Sequence, residues 1–570
     1  MGIPGFFGWL LKRCNKEYIL FNYLGKPIHE FYIDLNCMIH PSCNKVLNTK
    51  VRDVNELEQI MINQCLSDLN TLIQIVKPLD KLYIAVDGVA PTAKIFQQRK
   101  RRYKSYEENN IKQKIYSKYN QEHNINNWTN ASITPGTEFM EKLHNAILNY
   151  VSTLKYPKTI IYSSYHTSGE GEHKIFDHIR ENSNKSGLGY ERINRIVYGL
   201  DADLFFLSMA SQKQNIYLMR ESNEISKSSN NKSEYTFVGI DNVITCFNNI
   251  IHERIIQLMH DAGIMKKIDE TYVNDIVFIC YMLGNDFVPH IPTIDIKKDG
   301  LDMLIDIYAL VYMHYLKPII QISKNGININ MLFLEEYILQ LSKFENDWIL
   351  TFYNKNNYKN GYMDNTIEKD LWNLENMETI KYRDVFQPHI GNIDDWKFRY
   401  YKNVLKCSEN HEQLVNDMCK EYLDGLLWIA EYYFSDCPSW NWSFKYENAP
   451  FLSDIKKFIR TYQYNPNTIK FDKGHPLKPI AQLMCVIPKQ YYYLLPKKYR
   501  SLMISDESNL GDLFPDTFEL DVYNKDMYWQ CIPILPYLDI NRIEEELNRI
   551  EEDKNDRKIN GTHEDYVFNK

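Results

Sequence analysis

Apolar residues along the chain form two kinds of run. Short runs with unbroken apolar centres, at Phe31–Leu35, Leu82–Val86, Thr159–Ser163, Arg195–Gly199 and Ile216–Met219, lack the alternation of a half-exposed strand. They predict strands buried on both faces, the setting of a parallel sheet. Between them, apolar positions recur three and four apart, as in Val54–Val76 and Glu138–Leu154, and predict amphipathic helices. Over residues 1 to about 300 the two kinds alternate as in βαβ units. An α/β fold is expected, with a central, mostly parallel sheet flanked by helices. The stretch Ser222–Glu234, rich in Ser, Asn and Lys, predicts a surface loop.

The pattern changes further along. Residues 341–394 are polar and irregular and are expected to be a linker. A second region, 395–548, holds an aromatic-rich helix at Val415–Phe434 and then the run Cys437-Pro438-Ser439-Trp440-Asn441-Trp442. Residues 549–570 alternate in charge and suggest a tail that begins as a frayed helix end. The first region, 1–340, carries the candidate chemistry.

Composition narrows the classes modestly. The 570 residues include 66 Lys plus Arg against 74 Asp plus Glu, so no globally basic surface is expected. A nucleic-acid channel needs only local positive charge, so this excludes little. The 11 cysteines form no CxxC pair and meet no His at zinc spacing, which argues against a zinc ribbon or a disulfide framework. A reducing, intracellular compartment is expected, with no membrane association, since no apolar run approaches about 18 residues.

Seven carboxylates stand in apolar settings. They are Asp34 in FYIDLN, Asp87 in IAVDGVAP, Glu170 and Glu172 in GEGEHK, Asp201 and Asp203 in YGLDADL, and Asp286 in LGNDF. Acids that follow buried strands point into the crevice at the carboxyl end of an open sheet. Brought together there they would repel one another unless hard cations lay between them, and Mg²⁺ or Mn²⁺ suits all-oxygen donors. Two such ions ~3.5–4 Å apart are a common device for cleaving phosphodiesters. Singly, each motif has a plainer explanation: a DxD turn, an Asp before Gly, a helix cap at Asp286. Seven in series argue otherwise.

After Asp87 the chain runs through Pro91 into Lys94, Gln98, Arg101 and Arg102, which share one face of a helix. A solvated basic helix would explain an isolated QQRKRRYK. Beside a candidate metal carboxylate, the lysine, the amide and the arginine fork suit a terminal phosphate.

These motifs, together with MGIPGFFGWL, ITPGTEFM, GNDFVPHIP, YLDGLLWIAEYYFSDCPSWNW and PLKPIAQLMCVIP, follow one another in order to about Asn548. In that order they resemble the XRN family of 5′→3′ exoribonucleases. The resemblance implies a nuclease core of the PIN/FEN-like kind, with a second conserved region packed over the active site. It implies that Asp34, Asp87, Glu170, Glu172, Asp201, Asp203 and Asp286 hold two Mg²⁺ or Mn²⁺ ions. It places a 5′-phosphate pocket at Lys94, Gln98, Arg101 and Arg102, and stacks the first bases between His40 and Trp442, with Trp440 as rival. The implied substrate is single-stranded RNA with a 5′-monophosphate, and the implied products are nucleoside 5′-monophosphates. The carboxyl-terminal modules of the family's long members are expected to be absent. Two other classes compete with this reading. A flap-type nuclease would call for a helix–hairpin–helix element, which is not evident, and a non-catalytic RNA-binding scaffold would tolerate lost carboxylates, whereas all seven are present.

Overall fold

The computed structural model describes the chain apart from residues 1–2, 4, 48–50, 52, 122–127, 184–192, 223–233, 265–270, 324–325, 354–365, 379–389, 407–410, 523–524 and 526. Seven strands come early: β1 Leu20–Phe21, β2 Glu30–Asp34, β3 Lys81–Ala85, β4 Thr159–Ser163, β5 Arg195–Tyr198, β6 Ile216–Glu221 and β7 Tyr235–Gly239. Two small hairpins follow, β8 Ile320–Ser323 with β9 Gly326–Ile329, and β10 Glu519–Asp521 with β11 Ile532–Ile534. The last strand is β12, Tyr566–Asn569.

The central sheet runs β1-β7-β6-β5-β2-β3-β4-β12. Its five inner strands, β6 to β4 in that order, are parallel, and its edges are antiparallel. The sheet is therefore mixed, with the expected parallel part at its centre. The order in which successive strands are added reverses between β2 and β5, which makes that junction the switch point where such sheets open a crevice.

Both faces of the inner strands are covered, which explains their continuous apolar runs. Tyr32, Tyr83, Ile161, Val197 and Leu218 join the core on one face. Phe31, Ile33, Leu82, Ile84, Ile160 and Ile196, each offset by one residue, join the core on the other. The helix Val54–Val76 has the bounds its periodicity predicts. It buries Leu57, Met61, Cys65, Leu69, Leu72 and Val76, and Asp53 caps it by accepting from the Glu56 N–H at 2.8 Å.

The second region has a small cluster of its own, around Trp396, Tyr400, Tyr401 and Phe451, but shares its main core with the first. Leu426, Trp428 and Tyr432, on the helix His411–Phe434, pack in the same cluster as Phe205 and Phe278. Its loops also grip the start of the helix Thr92–Lys118. There the Thr92 N–H donates to the Trp440 carbonyl at 2.9 Å, and the Ala90 N–H donates to the Gln482 side chain at 2.8 Å.

Several expectations change. The tail is not frayed: residues 554–559 form a helix and β12 covers the open edge of β4, removing an unpaired strand edge. Inside the polar stretch 341–394, residues 345–353 and 367–375 are helical, and the run 354–365 lies outside the described residues. Most of the loop expected at Ser222–Glu234 lies outside them too. Cys14 and Cys246 are joined as a disulfide with Cα atoms 6.0 Å apart, a pairing that their separation of 232 residues conceals in the sequence. Among the described residues no helix is long and apolar enough to cross a membrane.

Candidate active site

Six of the seven carboxylates follow directly on the inner strands. Asp34 ends β2, Asp87 lies two residues past β3, and Glu170 and Glu172 straddle the start of the helix Gly171–Ser183 after β4. Asp201 follows β5, and Asp203 opens the helix Asp203–Ala210. Parallel strands share one carboxyl end, so six acids from distant sequence converge there.

Asp286 arrives from a loop. Gly284 takes φ +81°, and an added Cβ there would lie 2.6 Å from the His290 backbone nitrogen. The Asn285 side chain then accepts from the N–H groups of Phe287 and Val288 at 2.9 and 3.0 Å, which turns the chain tightly around Asp286. No helix starts at this point, so Asp286 is not a cap.

Oxygens of Asp34, Asp87 and Glu172 lie within 4.8 Å of one another. Asn36 donates to Asp87 at 2.8 Å, the Gly171 N–H donates to it at 2.7 Å, and the Cys37 thiol donates to Asp34 at 2.9 Å. Asp34 Oδ1 is buried with no hydrogen-bond partner. A Cβ on Gly171 would stand 2.8 Å from that same oxygen, so glycine keeps the space in front of it open. An all-oxygen set with an unpartnered buried oxygen fits a hard divalent cation. The charges strain one another without a cation: burial, then Asp87 and Asp201, push the Asp34 carboxyl up to about 8. Burial, then Glu170, likewise raises Glu172 well above the usual carboxylate range.

Lys94 organises the other half. Its ammonium pairs with Glu170 and, at 2.7 Å, with Asp286. Burial works against charge on both partners, yet the Lys94 pair outweighs it at Asp286 and holds that carboxyl below its usual range. Lys94 is thus drawn into the carboxylate cluster, apart from the other basic residues on its helix face.

The rest of the basic face is different. Arg102 is partly buried, its Nε has no hydrogen-bond partner, and burial and the neighbouring Arg101 lower it to about 9. His40 lies in the field of the same two arginines; its burial, then Arg101 and Arg102, hold its ring near pKa 4, hence neutral. Gln98 is buried beside them, with its side-chain oxygen unpartnered. Arg99, in the same run, is structural: it is 2% exposed and donates to the carbonyls of Pro536, at 2.7 Å, and Leu513.

Trp442 stacks on the fully buried Trp428, with ring centres 5.0 Å apart and planes 23° apart, against Gly425. Trp428 belongs to the core, as expected. Trp440 meets the site through its backbone, whose carbonyl receives Thr92. No described contact joins either tryptophan to His40.

The residues that sequence reasoning missed are the supports. The Tyr432 hydroxyl donates to Glu170 at 3.0 Å and the Tyr433 hydroxyl to Asp203 at 2.9 Å. His173 stacks on Tyr432 with ring centres 3.6 Å apart. Lys174 is buried and donates to the carbonyls of Val86 and Ser164 at 2.8 and 2.9 Å, tying the ends of β3 and β4 together. The tyrosine pair could have been flagged as phenols at the mostly apolar end of a helix; nothing in the sequence marks Lys174.

Residues 1–222 match the family model described as XRN 5′-3′ exonuclease N-terminus, and residues 266–384 and 389–570 match that of the Xrn1 helical domain. The chain is similar to 5′-3′ exoribonuclease 2 of Arabidopsis thaliana, 26% identical over 98% of this chain and 68% of that protein. It is 28% identical to human 5′-3′ exoribonuclease 1 over 95% of this chain, but spans only 34% of that protein's length. With 5′-3′ exoribonuclease 1 of Saccharomyces cerevisiae it shares 24% identity over 95% of this chain and 43% of the relative.

Proposed function

Because this chain belongs to the XRN family of 5′-3′ exonucleases, we propose that it hydrolyses single-stranded RNA stepwise from a 5′-monophosphate end. Nucleoside 5′-monophosphates are the products. The observation that carries the reading is the buried oxygen cluster of Asp34, Asp87 and Glu172 lying in the field of Arg102, whose guanidinium has no described ion-pair partner. The same relatives by name act as 5′-3′ exoribonucleases.

Asp34, Asp87, Glu172 and Asp201 would hold one side of a divalent site, and Glu170, Asp203 and Asp286 the other. Mg²⁺ or Mn²⁺ bound there, two ions in this reading, would supply an acidified water and stabilise charge on the departing 3′-oxygen. Arg101, Arg102 and Gln98 hold the terminal phosphate by charge-assisted hydrogen bonds and so set the cut one nucleotide from the end. Lys94 keeps Glu170 and Asp286 together at the boundary between the two subsites. His40, kept neutral by burial and then by the arginines, offers a flat face to the first base, and Trp442 is its proposed counterpart. The second region lies over the carboxylates through Tyr432 and Tyr433, which favours a single strand over a duplex.

The test is digestion of 5′-phosphorylated and 5′-hydroxyl single-stranded RNA with Mg²⁺, scored for mononucleotides. Internal cleavage, or preference for branched duplexes, would favour a flap-type nuclease. Binding without cleavage would favour a scaffold.

A further inference from the structure

A cavity of about 350 Å³ reaches Asp286, the partner of Lys94. Asp286 and Arg101 form part of its wall, so it is continuous with the proposed active site. Its other walls come from a second face of the helix Thr92–Lys118, with Phe96, Lys100 and Lys104, and from the second region, with Lys525 and Trp529. None of these five residues has a role in holding metal or the RNA end in the reading above.

Its volume matches the lower end of small-ligand sites, ~300–1,000 Å³. The chemistry of its wall is selective. Lys100 is neutralised by Glu447, and Lys104 is spent on the carbonyls of Trp529 and Cys531. Lys525 is half-buried and has no ion pair among the described residues, though Asp521 and Asp295 lie in its field; Arg101 likewise has no ion pair among them. Two wall amides, Gln97 and Asn285, each keep a buried polar atom without a partner. Trp529 is 45% exposed and Lys297 sits 5.7 Å over its ring. A lysine without an ion pair, unspent amides and an accessible indole together suit an anion that carries a planar, hydrogen-bonding base.

We propose that this cavity binds a nucleoside 5′-monophosphate, receiving the product beside the carboxylates. The proposal rests on the exonuclease reading. An enzyme that cuts one nucleotide at a time must clear each product while keeping the remaining strand, and a cavity beside the carboxylates would take the product off that path. Lys525 would meet the phosphate and Trp529 the base.

The experiment uses the full chain. Binding of adenosine 5′-monophosphate is measured by calorimetry in EDTA, with thermal melts confirming that each variant is folded. Trp529→Ala and, separately, Lys525→Gln should weaken that binding about 5- to 100-fold, the range of one stacking or charged contact. Both should relieve inhibition by added adenosine 5′-monophosphate in multiple-turnover digestion, leaving the first cleavage in a single turnover unchanged. Trp529→Phe should restore part of the affinity. Unchanged nucleotide affinity in both variants overturns the proposal, as does an affinity lost only in Arg102→Ala, which would seat the nucleotide in the phosphate pocket. Weakened RNA binding with unchanged nucleotide binding also overturns it, making the cavity part of the RNA track. Nucleotide binding that depends on Trp529 in a protein that cleaves no RNA would uphold the site and overturn the exonuclease reading.

Discussion

Tyr433 donates a hydrogen bond of 2.9 Å to Asp203 from 230 residues away in sequence. Tyr432, its neighbour, does the same for Glu170 at 3.0 Å. One helix of the second region thus holds two carboxylates of the first. Partners of this kind, orienting metal ligands, typically contribute ~10–100-fold in metal affinity or activity. Tyr433→Phe should therefore weaken Mn²⁺ binding by about 10-fold or more and raise the Mg²⁺ concentration needed for half-maximal cleavage. The measurement is a Mn²⁺ titration followed by magnetic resonance. An unchanged affinity would reduce the pair to packing.

Removing a carboxylate itself should be more severe. Glu172→Ala or Asp203→Ala is expected to lower RNA cleavage by about 100-fold or more, since divalent ions held there would stabilise charge in the transition state. RNA binding should survive, because a negative charge is lost near a polyanion. Near-normal turnover in Mg²⁺ would remove that residue from the cluster.

The burial of Asp34 carries a pH signature. Its folded value, about 8, stands above the ordinary 3.8, so the protonated form is favoured in the folded chain. The stability this contributes is fully present below the ordinary value and is lost as pH rises through about 8. In EDTA the melting temperature should fall across that window, and Asp34→Asn should flatten the fall. Added Mg²⁺ should recover more stability at the alkaline end, because it competes with fewer protons; at 100 times its Kd an ion adds ~2.7 kcal/mol. Equal Mg²⁺ shifts at both ends of the window, or an unaltered slope in Asp34→Asn, would contradict this account.

Lys94 and Arg102 should separate. Arg102→Ala removes a contact of ~1.5–3 kcal/mol made only to a charged end, so the advantage of 5′-phosphorylated over 5′-hydroxyl RNA should shrink. Lys94→Ala unpairs Glu170 and Asp286 and should depress cleavage of both RNAs together. Selective loss on the phosphorylated substrate alone would return Lys94 to the phosphate pocket.

Trp442→Ala should diminish RNA engagement by ~1–3 kcal/mol and shorten processive runs more than it slows a single cleavage. Its indole also stacks on Trp428, so Trp442→Phe is the control for packing. Trp440→Ala keeps the carbonyl that receives Thr92, and run lengths should change little. Shortened runs in Trp440→Ala alone would move the base clamp two residues upstream.

The sequence by itself determined the inner sheet and the identity of the acids. Strands covered on both faces must be apolar throughout, so β2 to β6 stood out, and acids just beyond them had one place to go. It also marked Arg101 and Arg102 through helical spacing. It could not separate Arg99, three residues from Arg102, which the second region buries against its carbonyls. Nor could it show that Lys94 faces acids, that β12 returns to the sheet edge, or that Cys14 meets Cys246. Those are pairings between residues tens to hundreds of positions apart. Local periodicity records only which face of an element is apolar. Which charged group meets which was decided by tertiary packing, where a buried ion or phenol settles on the nearest partner that satisfies it.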